Sequence, residues 1–153
     1  MKKHVKLALL LTPLVLGTSM AAAESVSYKG TGTYLTTRSV LPLAGGGAVI
    51  SNKSTASATI EPSEVGFLFG ECMGLGLLSA EGSAADLDFY CTFRESSIDG
   101  FDIKGTGAGD SAKTEVVGGR GKWQGATGQG TISRRTERGD RGTFAYEVTI
   151  STP

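Results

Sequence analysis

The chain has 153 residues, 15 basic and 15 acidic, and a single histidine, His4. His4 lies in a segment expected to be removed, and a chain without imidazole is excluded from Ser-His-Asp and Cys-His catalysis, where the ring takes the nucleophile's proton. With only two cysteines besides, the common zinc sites are excluded as well, so no metal and no cofactor is expected.

In chain order, the first segment carries Lys2, Lys3 and Lys6, then an apolar run over residues 7–16 broken only by Thr12 and Pro13. Ala21-Ala22-Ala23 follow, small enough for a signal peptidase. This is the secretory pattern. The run is half the roughly 20 apolar residues that a membrane span needs. No cysteine follows the alanines, so no lipid anchor is expected there. Residues 1–23 are therefore read as a signal peptide. Residues 24–153 are read as one domain, exported to the periplasm or the medium and not membrane-spanning. That domain would hold 12 basic and 15 acidic residues. A mildly acidic chain argues against general nucleic-acid binding.

No long helical period follows. Val26, Tyr28 and Tyr34 share one face of a first strand, with Gly30 and Gly32 between them leaving room for another backbone or a large side chain. Pro42 and Gly45-Gly46-Gly47 punctuate. Strands are expected over residues 56–60, 66–78, 87–94, 101–107 and 113–117, with loops over 85–88 and 107–112. Residues 131–138 pair with a last strand in which Phe144, Tyr146, Val148 and Ile150 alternate with polar neighbours. A turn at Gly139-Asp140-Arg141-Gly142 joins these two strands. The count is eight or nine short strands, which makes an all-β barrel or sandwich.

Cys72 and Cys91 are expected to form a disulfide, as an even pair does in an oxidising compartment. Closing a loop of this size stabilises by about 3 kcal/mol in the chain-entropy model. A two-residue turn at Glu81-Gly82 would place the two cysteines directly opposite each other. A longer loop reaching Asp86-Leu87 is the alternative.

The most specific stretch is Gly118-Gly119-Arg120-Gly121-Lys122-Trp123-Gln124-Gly125-Ala126-Thr127-Gly128-Gln129-Gly130. It lacks the glycine that a P-loop needs five residues before its Gly-Lys, since Val116 stands there. Its glycines suit tight turns and positive φ. Trp123 is expected either to plug the barrel or to line a pocket. The segment resembles the allene oxide cyclase and dirigent superfamily, including many secreted bacterial proteins. The resemblance implies a small antiparallel, roughly eight-stranded closed barrel with a calycin-like interior. Arg120 departs from the threonine expected in that pattern, and no substrate-site residue of the plant enzymes can be carried over.

Charge is uneven. Residues 113–141 hold seven basic and three acidic side chains, whereas residues 24–112 hold five and eleven. Arg134, Arg135, Arg138 and Arg141 form a basic patch, read either as solvated strand faces or as a site for an anionic ligand or envelope surface. Asp86, Asp88, Asp99, Asp102, Glu61 and Glu64 sit in turn-like contexts. No catalytic residue stands out.

The function expected is non-catalytic: binding of a small apolar or amphipathic ligand, with Tyr28, Tyr34, Trp123, Phe144 and Tyr146 as ligand-lining candidates, or an envelope accessory role. The alternative, implied by the resemblance, is a cyclase or isomerase. A small outer-membrane barrel fits poorly, because it needs apolar residues facing lipid on nearly every strand and aromatic girdles, and only the last strand alternates well.

Overall fold

The structure, a computed structural model, describes residues 24–81, 84–107 and 110–153, and for 84–86 the backbone alone. The expected signal peptide, residues 1–23, lies outside the described residues, as does Gly82 of the expected turn.

Eight strands follow one another: β1 (Glu24–Pro42), β2 (Ala48–Thr59), β3 (Phe67–Leu78), β4 (Ala84–Arg94), β5 (Gly100–Gly107), β6 (Ser111–Arg120), β7 (Thr127–Arg138) and β8 (Arg141–Thr152). Each pairs antiparallel with its chain neighbour, and β8 pairs with β1 to close the barrel. Residues 85–88, expected as a loop, belong to β4. At Asp88 the acidic side chain belongs to an outer strand face rather than to a turn. Asp88 points outward and accepts a hydrogen bond from the Thr106 hydroxyl on β5 at 2.6 Å.

Closure depends on β1. Its first part pairs with β8, from Glu24↔Thr152 to Leu35↔Arg141, and its second with β2, from Gly32↔Ala58 to Pro42↔Ala48. One long strand thus serves both neighbours in a staggered register, as a tilted closed barrel requires.

An eight-stranded barrel has just enough interior for side chains. Here rings lie over inward-facing glycines. A Cβ on Gly32 would come within 2.6 Å of the Phe144 ring, and one on Gly30 within 2.7 Å of the Tyr146 ring. Gly70 and Gly105 accommodate Phe93 and Phe89 in the same way. The core between them includes Leu68, Phe101, Ile103, Val116, Val148 and Ile150, all buried.

Cys72 and Cys91 are bonded and directly opposed on β3 and β4. The register expected for the hairpin holds from Phe69↔Arg94 to Gly76↔Leu87, and an irregularity before Leu78↔Ala84 then shifts it by one residue. The C-terminal hairpin turns on two residues, Gly139 and Asp140, with Arg138 opposite Arg141. Gly139 has φ of 65°, which a side chain would strain.

Candidate functional site at the two ends of the barrel

The glycine-rich motif closes one end. After β6 the chain makes a single 3₁₀ turn, Gly121–Trp123, before β7. Gly121 and Gly125 both have positive φ, 62° and 75°. Gly121 is doubly constrained, since a Cβ there would lie 2.1 Å from Asp99 Oδ1. That carboxylate accepts the backbone N–H of Lys122 at 2.9 Å. The N–H also holds the Asp99 carboxyl below its usual range. Trp123 turns inward and is 3% exposed. Its ring meets Tyr28 and Phe101 edge-on, each at 5.3 Å between centroids.

A buried carboxylate holds this plug. The Glu95 side chain is 1% exposed and pairs with Lys122 Nζ at 2.6 Å. The Ser63 hydroxyl donates to its other oxygen. Burial pushes the Glu95 carboxyl up, but Lys122 and Ser63 together outweigh burial and leave it below the usual range. The Trp123 indole N–H contributes to the field at this carboxylate without completing a hydrogen bond of ordinary geometry. Three separate loops therefore meet at one ion pair, and the motif is explained as a closure. Sequence reading missed Glu95 and Ser63. Neither stands out in composition, because only the fold brings them to Lys122.

The interior beyond the plug is filled. Among the described residues an interior void of about 20 Å³ is lined by Leu68, Phe93, Phe101, Thr114, Phe144 and Tyr146 among others. That volume holds about one water molecule. Tyr146 spans the wall and donates to the Thr59 carbonyl at 2.7 Å. Burial raises its phenol far above the usual value. Of the five aromatic candidates, Phe144 and Trp123 belong to the buried core, and Tyr28, Tyr34 and Tyr146 pack against it half-buried.

The basic candidates lie at the opposite end of β7 and divide into two groups. Arg134 is the register partner of inward-facing Phe144 and pairs with Glu137, which also faces Arg38 at 3.8 Å. Arg135 is exposed at the irregularity in β7. Arg138 and Arg141 are opposed across the hairpin. Arg138 has no ion-pair partner among the described residues, and Arg141 has only its neighbour Asp140 at 3.6 Å.

Arg138 and Arg141 border an open groove of about 480 Å³ across β2, β1, β8 and β7. Its lining includes Tyr34, Leu35, Thr33, Ser57, Thr136 and Thr143. Thr136 and Thr143 share a hydroxyl–hydroxyl hydrogen bond of 2.8 Å. The Tyr34 hydroxyl is buried and has no hydrogen-bond partner among the described residues. Burial raises its pKa, as does Glu137, while Arg134 and Arg38 oppose the rise. The hydroxyls were invisible as a site in the sequence, because Ser and Thr occupy most outward positions of these strands.

The closed eight-stranded meander is matched along most of its length by solved structures, and that likeness shows the fold. The chain has the dirigent fold. Two pterocarpan synthase dirigent proteins, GePTS1 and PsPTS1, are similar in structure, each with a TM-score of 0.52. They are 14% and 12% identical in sequence to this chain. The matches cover 94% and 85% of this chain and 96% and 95% of theirs. No protein-family model and no curated protein matches the sequence. At these identities the likeness carries the dirigent barrel itself and not the chemistry performed on it.

Proposed function

We propose that this dirigent-fold barrel is an exported, non-catalytic binding protein. In this reading its ligand is a small amphipathic anion held in the outer groove between Tyr34, Arg138 and Arg141. One observation carries the reading: two arginines without a strong carboxylate partner flank an open groove of about 480 Å³. A guanidinium offers a planar fork of donors suited to a carboxylate, sulfate or phosphate. Leu35 offers an apolar contact, and the threonine hydroxyls supply hydrogen bonds to polar substituents. The aromatic candidates contribute as support, with Tyr34 beneath the groove and Phe144 and Tyr146 filling the barrel behind it. Export is supported by the Cys72–Cys91 bond, since such bonds persist in oxidising compartments.

A cyclase or isomerase would need an acid or base facing a substrate cavity. The interior void of about 20 Å³ has room for about one water molecule and none for a substrate. The binding reading is therefore the better supported of the two. Titration with 1-anilinonaphthalene-8-sulfonate, an anion with an apolar ring system, tests it at neutral pH in low salt. Saturable binding to the folded protein that falls at least about tenfold in Arg138→Ala/Arg141→Ala is expected, since removing a charge-assisted contact costs about 1.5–3 kcal/mol. Equal binding by wild type and the double variant would contradict the groove as the site.

A further inference from the structure

The groove beside Arg138 and Arg141 is ordered in two rows that run across four strands. Ser57, Thr33, Thr143 and Thr136 stand opposite one another from β2 through β1 and β8 to β7. Two residues further along each strand, Thr55, Leu35, Arg141 and Arg138 form the second row. All eight line the groove. Neighbouring strands lie about 4.8 Å apart, so each row is roughly 14 Å long. One row presents hydroxyls alone, and the other ends in two guanidinium groups.

We infer that the ligand of this groove is an acidic oligosaccharide, with its ring hydroxyls on the Ser/Thr row and its carboxylates on Arg138 and Arg141. The inference rests on the anion-binding reading of the groove and narrows the class of anion.

Elsewhere on the same wall such hydroxyls are used within the protein. Ser25 bonds Ser151 and Ser27 bonds Thr149, each at 2.9 Å. The Thr59 hydroxyl accepts from and donates to the backbone of Thr31. In the groove, the hydroxyls of Thr33, Thr55 and Ser57 have no hydrogen-bond partner among the described residues. Thr136 and Thr143 bond each other at 2.8 Å, and such a pair still keeps one proton and several lone pairs for a ligand. Sugar hydroxyls donate and accept at once, which matches a row of this kind. An acyl chain laid along it would take the same hydroxyls out of water without replacing their hydrogen bonds. Leu35 is the one apolar side chain in the two rows and suits the C–H face of a sugar ring. Like charges directly opposed on paired strands are destabilising, so Arg138 and Arg141 gain from carboxylates placed against them.

Isothermal titration calorimetry of the purified protein at neutral pH in low salt tests the inference. The probes are tri-galacturonate and tricarballylate, a trianion without hydroxyls. Thr33→Val/Ser57→Ala removes two groove hydroxyls and leaves both arginines. Ser27→Ala/Thr149→Val removes a hydroxyl pair on the same wall outside the groove. Retained disulfide and tryptophan emission report an intact barrel in each variant. Tri-galacturonate should bind more tightly than tricarballylate and lose at least about tenfold in Thr33→Val/Ser57→Ala, as the loss of two neutral hydrogen bonds implies. It should be unchanged in Ser27→Ala/Thr149→Val. Tri-galacturonate that fails to bind, binds no more tightly than tricarballylate, or ignores Thr33→Val/Ser57→Ala would overturn the oligosaccharide. In that case binding of 1-anilinonaphthalene-8-sulfonate that still depends on Arg138 and Arg141 would leave the groove as an anion site. Loss of that dependence as well would remove the groove itself.

Discussion

The two ends of β7 use basic residues for opposite purposes. At its start Lys122 is bound to a carboxylate that is 1% exposed, and the pair joins three loops over a tryptophan. At its end Arg138 has no ion-pair partner among the described residues, and Arg141 has only an exposed neighbour at 3.6 Å. The contrast separates structural charge from available charge. A cation with a buried partner is committed to the fold, because moving it strands that partner away from water. A cation without one can change partners at little cost to stability, which is what ligand binding requires.

That comparison can be broken or sharpened in order of expected effect. The disulfide, which belongs to neither end, sets the baseline. Cys72→Ala/Cys91→Ala should lower stability by about 3 kcal/mol in denaturant titration while leaving both ends intact. Lys122→Met should cost about 2 to 3 kcal/mol at neutral pH, toward the low side for a broken buried pair because the lysine is itself half in solvent. The pH dependence identifies the cause. In the wild type the Glu95 carboxyl is lowered, so its contribution is present above the unfolded value of about 4.3. That contribution disappears as pH falls through the lower native value. In the variant, burial is no longer opposed by Lys122 and the native carboxyl rises. The stability deficit should then be largest near pH 7 and shrink on acidification. A deficit that stays constant with pH would assign the loss to packing of the lysine stem instead.

Gly121→Ala tests the same end through the backbone. Positive φ and the approach of Asp99 together should cost about 1 to 3 kcal/mol, read as a lower melting temperature. At the other end Arg138→Ala/Arg141→Ala should change stability by no more than about 0.5 kcal/mol. A large loss there would mean that these arginines are structural after all, and the contrast between the two ends would fail.

Much of this fold was legible in the sequence because its signals are local. Period-2 alternation marked β8, Gly30 and Gly32 marked a close approach, and the spacing of Cys72 and Cys91 fitted a hairpin register. The glycine-rich motif around Trp123 signalled positive φ at Gly121 or Gly125, and the structure has it at both. What the sequence hid is what depends on closure. Residues 50–55 of β2 read Ile-Ser-Asn-Lys-Ser-Thr, too polar to look like a strand, yet they are paired along their whole length by β1 and β3. Residues 85–88 looked like a loop because an acidic side chain on an outer face, as at Asp88, resembles a turn residue. Glu95 and Ser63 gave no signal, since their roles exist only once three distant loops are brought together. The groove likewise draws on four strands whose hydroxyl residues are individually ordinary.

In the proposed reading the barrel is filled and binding takes place on its outside. Amide chemical-shift mapping of the ¹⁵N-labelled protein during titration with 1-anilinonaphthalene-8-sulfonate tests this most directly. The account predicts that shifts concentrate at Thr33, Tyr34, Leu35, Thr136, Arg138, Arg141 and Thr143, while Phe101, Ile103, Val116 and Trp123 stay unmoved. Saturable shifts centred on those four core residues, with the groove unchanged, would contradict it.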